Sequence, residues 1–161
     1  MQDARLVHAL YLGTPAYFDI ISIPVPTLAE VETDLQTATR DPRRYVELVF
    51  APPDMQLGDW PVVDPLSGSK VVGYLDYKLD YPESGDATVN LLLVHGDLQS
   101  RGVGRECVTD LESRLRATGD VRRVLASIYG RNPRAQKFWQ SLGYRFAIDA
   151  RPILDWYAKE L

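Results

Sequence analysis

The chain is poor in the residues that build metal centres and disulfides. Its 161 residues include one cysteine, Cys107, and two histidines, His8 and His95. A single cysteine excludes an intrachain disulfide and suits a reducing compartment, so a cytoplasmic location is expected. With no His/Cys cluster, no metal site is expected. No apolar run approaches the ~20 residues of a membrane span, and Met1–Arg5 lack the basic-then-apolar layout of a secretory signal. Basic clusters are also missing and the pI is about 5.2, which argues against a nucleic-acid partner.

What is present is ordinary for a globular chain: 45% hydrophobic and 25% charged residues, enough for one domain over residues 1–161 with a real core. The net charge of -4 is unevenly spread. Residues 1–97 carry 6 Lys+Arg against 15 Asp+Glu, and residues 98–161 carry 12 against 7. A polyanionic ligand on the basic half and a cationic one on the acidic half would suit this division. The alternative is that charge separated along the sequence does not separate in space.

Residues 4–12 read as a first strand and Gly13 to Ser22 as a short helix ended by Pro24 and Pro26. Thr27 and Glu30 form a capping box for a helix running to about Arg40. A strand follows at Tyr45 to Ala51. The segment 51–69 is proline-rich and long for a compact domain, with Trp60 either anchoring it or covering a ligand. Strands are read at Lys70 to Leu79, with Gly73 as a bulge position, and at Thr88 to Val94, central and buried. A helix then carries Val103, Cys107, Val108, Leu111 and Leu115 on one face, with Asp110/Arg114 and Glu112/Arg116 as pairs on its exposed side. Gly119 closes it. After a strand at Arg122 to Ile128, Asn132 and Pro133 open a last helix bearing Ala135, Phe138, Trp139 and Leu142. Tyr144 to Ala150 and Ile153 to Ala158 are the final strands.

The stretch Gln99-Ser100-Arg101-Gly102-Val103-Gly104-Arg105 lies between an apolar strand and a helix start. The first turn of a helix has unpartnered N–H groups and the positive end of the dipole. Glycines let a phosphate approach that backbone, and arginines grip phosphate. The stretch reads as a pyrophosphate cradle. A P-loop needs Lys-Ser/Thr after the last glycine, where Arg105-Glu106 stand. A dinucleotide fingerprint needs a third small residue, where Cys107 stands, and an acid after the next strand, where Tyr129-Gly130 stand.

Gln99-x-x-Gly102-x-Gly104 resembles the Q/R-x-x-G-x-G/A signature of the GNAT superfamily of acetyl-CoA-dependent N-acetyltransferases. Asn132 to Tyr144 resembles that family's N-x-x-A-x-x-F-[YW]-x-x-x-G-[FY] segment, in the right order and at the right distance. The resemblance covers residues 70–146 well. It implies a mixed α/β (α+β) fold with a central, mostly antiparallel sheet flanked by helices. It also implies an acyltransferase that moves acetyl from acetyl-CoA, its co-substrate, directly to a primary amine of a small molecule or peptide. No metal is implied. A fold that binds CoA with little turnover is the alternative, and a non-CoA nucleotide binder a third. Homodimers are frequent in the family, and Ile153, Leu154, Trp156 and Tyr157 are either core or interface.

The resemblance assigns CoA to Leu92, Val94, Gln99, Ser100, Arg101, Gly102, Val103, Gly104, Arg105, Asn132, Ala135 and Trp139. It assigns the polarising N–H to Leu92. Arg131 and Arg134 flank Asn132 and are either phosphate ligands or solvated charge. The family's strand carboxylate falls on Thr88, which cannot serve as a base; Asp80 ranks first among Asp80, Asp76, Glu83 and His95. The tyrosine that many members use to protonate the departing thiolate falls on Trp139, leaving water or Tyr144 as substitutes.

Overall fold

A computed structural model describes residues 2–151 and 154–161. Three helices come first: α1 (Gln2–Leu12), α2 (Pro15–Ile20) and α3 (Leu28–Arg40). They are followed by β1 (Arg44–Phe50), β2 (Val71–Leu79), β3 (Asp86–Val94), α4 (Val103–Thr118), β4 (Arg123–Tyr129), α5 (Pro133–Ser141), β5 (Arg145–Arg151) and β6 (Leu154–Glu160). The strands form one sheet in the order β1-β2-β3-β4-β6-β5. All neighbours are antiparallel except β3 and β4, which are parallel. This is the expected mixed sheet flanked by helices. Ile153 lies outside the described residues; Tyr157 is core.

The expected first strand is a helix. Ala4, Val7, Leu10 and Tyr11 are buried, a spacing of three to four that winds one apolar stripe onto the sheet. With Leu6 and Leu12 also apolar, the segment is hydrophobic on most sides, and a short run of that kind does not reveal its period. The other helices follow their signals. Thr27 and Glu30 cap each other's backbone at α3, and Gly119, at φ 75°, closes α4 in the left-handed region.

Two layers pack on the sheet. Helices α1 to α3 meet Tyr74, Leu91 and Leu93 on one face. Helices α4 and α5 meet Leu75, Val89, Val124, Ala126 and Ile128 on the other. Trp60 donates from Nε1 to the Val71 carbonyl at 2.8 Å and sets its ring against His95, so it anchors the 51–69 segment. His95, expected at a surface turn, is buried; its Nδ1 accepts from the Asp97 N–H.

Several acidic groups of the N-terminal half are spent on internal pairs. Asp76 is held by Arg44, Asp86 by Arg123, Glu47 by Arg114 and Asp41 by Lys78. Glu112 corrects the reading of α4. It is buried rather than on the exposed side, accepting from the Tyr144 hydroxyl at 3.0 Å and pairing with Lys159 and Arg116. Tyr144 is therefore a core residue, and burial beside Glu112 raises its pKa.

Candidate active site

The parallel ladder between β3 and β4 runs only from Asp86/Arg123 to Val89/Ala126. Beyond it the strands diverge. A bulge in β3 starts the divergence, because Asp76 pairs with Leu91 and Tyr77 with Val89, leaving Asn90 extra. The Asn90 side-chain amide donates to Asp76 at 3.2 Å. Between the strand ends lies a slot of about 530 Å³, lined by Val89 to Val94 and by Ser127 to Tyr129.

Antiparallel pairing decides where the β3 amides point. The His95 N–H donates to the Val72 carbonyl at 2.9 Å, so His95 and Val72 are a hydrogen-bonded pair. Such pairs alternate with non-bonded ones. Leu92 and Val94, opposite Leu75 and Gly73, are the non-bonded residues, and their N–H groups face away from β2 toward the slot. The Val94 carbonyl on that same edge accepts from Gln99 Nε2 at 3.2 Å. The motif glutamine thus braces the strand end.

The α4 side of the slot ends at the glycine turn. Gly102 is the N-cap of α4 at φ 87°, and a Cβ there would meet nothing within 4 Å. The first helical bond is from the Glu106 N–H to Gly102, so the N–H groups of Val103, Gly104 and Arg105 lack intrahelical partners. The two glycines differ in purpose. A Cβ on Gly104 would stand 3.1 Å from Phe138 Cζ, so its absence lets α5 close on α4.

On α5, Asn132 Oδ1 accepts from the Ala135 N–H at 3.0 Å, which leaves its amide donors for another partner. Trp139 is buried edge-on against Phe138 and Tyr144 while still lining the slot. Arg134 donates to Ser100 Oγ at 2.8 Å and so ties α5 to the turn. Among the described residues Arg101, Arg105, Arg131, Arg134 and Lys137 have no carboxylate partner. The buried carboxylates Asp76, Asp86 and Glu112 are each paired with a cation, whereas this basic rim has no carboxylate partner among the described residues.

Most residues expected to touch CoA therefore gather here: Leu92, Val94, Gln99, Ser100, Gly102, Gly104, Arg105, Asn132, Ala135 and Trp139 line the slot. Arg101 is exposed beside it, and Val103 is buried beneath the turn. Asp80 does not come to the slot. Its Oδ1 accepts from the Gly85 N–H at 2.9 Å, which shapes the β2–β3 turn. That turn lies six residues before Leu92, about 20 Å along the strand. Asp80 is a turn residue, and no base is gained from it.

The far wall was not foreseen. Ala16, Tyr17 and Ile20 of α2 line the slot with Asn90, Ser127 and Tyr129. Gly130, at φ 64°, admits the α2 carbonyl of Ile20 where a Cβ would stand 2.9 Å away. Burial raises the Tyr17 pKa to about 12, with Tyr129 adding to the rise. Nothing in the local sequence links α2 to the end of β4; only that glycine hints at a close approach.

The comparisons agree with the geometry. A model of the acetyltransferase (GNAT) family matches residues 30–144. The chain is 42% identical to an acetyltransferase from Thermus thermophilus, covering 99% of this chain and 91% of that one, with a TM-score of 0.83. The fold is shared with the GNAT domain of S. lividans PAT, at 17% identity, 100% and 86% coverage and a TM-score of 0.72. It is also shared with the PaiA N-acetyltransferase of Thermoplasma acidophilum, solved in complex with coenzyme A, at 11% identity, 99% and 92% coverage and a TM-score of 0.65. No curated protein matches significantly.

Proposed function

This chain belongs to the GNAT family of acetyltransferases, and from that premise we propose that it moves acetyl from acetyl-CoA directly to a primary amine. The observation that carries the reading is the pair of Leu92 and Val94 amides facing a slot that ends at the α4 N-terminus. The slot fits the co-substrate at each end. The free N–H groups of α4 and the unpaired arginines suit the phosphates, with Gly102 giving room for close approach. The strand amides suit the arm and its thioester.

The Leu92 N–H donates to the thioester carbonyl oxygen, where negative charge grows as the amine nitrogen adds. A fixed donor of that kind in a dry site lowers the barrier by roughly 3 kcal/mol. The new carbon–nitrogen bond forms, the carbon–sulfur bond breaks, sulfur leaves with the electron pair, and the proton shed by the amine reaches it through water. Val94 pairs with the arm, Gln99 holds Val94 in place, and Trp139 packs along the slot.

The second reading, a module that binds CoA with little turnover, has its own support. Among the described residues no carboxylate lines the slot, Trp139 stands where many members have a tyrosine, and the Tyr144 hydroxyl is committed to Glu112. A lysine-like amine of pKa about 10.4 costs about 4.6 kcal/mol to neutralise at pH 7, and no described lining side chain offsets this.

Thermal unfolding with acetyl-CoA, CoA, ATP and NAD side by side, followed by thiol release on adding amines, tests both. At 100 times its Kd a ligand stabilises by about 2.7 kcal/mol. A shift with acetyl-CoA and amine-dependent thiol release is expected. A shift without release would favour the module, and no shift with acetyl-CoA would refute both.

A further inference from the structure

The slot passes through the sheet, and its two mouths differ. The α4/α5 mouth carries Arg105, Arg134 and Lys137. The opposite mouth is formed by one face of α2 with Ser127 and Tyr129, which alternate with the core residues Ala126 and Ile128 and so face the α1–α3 layer. With the phosphates at the first mouth, the acceptor enters by the second. Among the described residues that mouth has two phenols, the aliphatic side chain of Ile20, one hydroxyl and one amide, and no carboxylate. Asp76 and Asp19 belong to elements beside this mouth, and neither lines it. Asp76 lies behind Asn90 and is held by Asn90 and Arg44. Asp19 is exposed on α2, outside the face made by Ala16, Tyr17 and Ile20.

We infer that the acceptor is a small monoamine with an apolar or aromatic body and the basicity of an α-amine, seated against Tyr17, Ile20, Ser127 and Tyr129. The inference rests on the acetyl-transfer reading above. A polyamine or aminoglycoside finds no counter-charge among the described residues of this slot, against the expectation that the acidic half of the chain would receive a cation. The lack of a base among the described lining residues points the same way. At pH 7 an α-amine of pKa about 7.7–8.0 is neutral in roughly one molecule in ten, a lysine-like amine in about one in 2500. A slot with no carboxylate or imidazole among its described lining residues favours the amine that arrives without a proton. The neutral nitrogen forms the amide bond, CoA leaves as its thiolate, and the amine's surplus proton reaches that thiolate through water.

The test uses the full chain, with acetyl-CoA binding measured first by calorimetry and then thiol release at pH 7 with phenylalaninamide, glycinamide, spermidine and Nα-acetyllysine. We expect kcat/KM for phenylalaninamide to exceed that for glycinamide at least 10-fold and that for spermidine at least 100-fold. Tyr17→Ala should raise KM for phenylalaninamide about 10-fold and leave acetyl-CoA affinity unchanged. Should that variant not fold, Ser127→Asp, which adds the missing carboxylate, should shift the phenylalaninamide-to-spermidine ratio toward spermidine at least 10-fold. Spermidine or Nα-acetyllysine as the better acceptor, equal use of the two amides, or acetyl-CoA binding with no thiol release would overturn the inference and leave cofactor binding standing. Failure to bind acetyl-CoA would remove the reading beneath it as well.

Discussion

Gly102 and Glu112 show how differently two residues of one segment declare themselves. Gly102 was legible because its requirement is local: the turn needs a left-handed residue at the head of a helix. Its substitution should separate binding from folding. Gly102→Glu adds about 1–2 kcal/mol of backbone strain, places a negative charge at the phosphate end of the slot, and should weaken acetyl-CoA binding at least 100-fold by calorimetry. An unchanged Kd would remove the cradle assignment. Glu112 was misread because its partners, Tyr144 and Lys159, arrive from 32 and 47 residues away. From the sequence alone it is one more i,i+4 partner of an arginine. Removing a buried partner strands the other charge. Lys159 keeps some access to water, so Glu112→Leu should cost about 2 kcal/mol in urea unfolding, with Glu112→Gln, which keeps an acceptor for Tyr144, losing less. Equal stability of the three proteins would refute a structural role for this cluster. Asp80 was misplaced for a different reason: its partner is a nearby backbone N–H, that of Gly85, whose direction only the folded turn sets.

At the scale of elements, strong punctuation carried the reading. The Thr27/Glu30 box, the Gly119 stop and the Asn132-Pro133 start each fix a helix end by satisfying identifiable backbone groups. α1 has no such signal and too many apolar residues, so its period was lost. The α4–α5 contact gives a prediction of its own. Gly104→Ala places a methyl 3.1 Å from Phe138 Cζ, tighter than ordinary contact, so the Phe138 ring must give by a few tenths of an ångström, and we expect α5 to shift with it. Overpacking of this kind costs about 1–3 kcal/mol. The melting temperature should fall by several degrees and acetyl-CoA affinity should fall with it, since Asn132 and Trp139 move with α5. A Gly104→Ala protein with full stability and affinity would show that the helices are not locked through this contact.

Over the whole molecule, burial of phenols and the one thiol sets the alkaline limit. Burial pushes Cys107 up to about 11 and Tyr17 and Tyr77 up to about 12, with Tyr11, Tyr74 and Tyr144 raised further. In the unfolded chain the same groups ionise at about 8.5 and about 10. Their contribution to stability is therefore complete below about pH 8.5 and is lost as pH rises toward the folded values, because only the unfolded state releases protons in that interval. The urea midpoint should hold from about pH 7 to 8.5 and fall steadily from about pH 9 to 11. Cys107→Ala should delay the first part of the fall, and a flat midpoint up to about pH 11 would contradict the burial of these groups. The early divergence of β3 from β4 has one more consequence. Each N–H on a paired strand edge is shielded by its neighbour, but those of Leu92 and Val94 face the slot and are shielded by whatever occupies it. Their exchange with deuterium is a built-in occupancy gauge, reporting a ligand by the slowing of two amide signals before any product has formed.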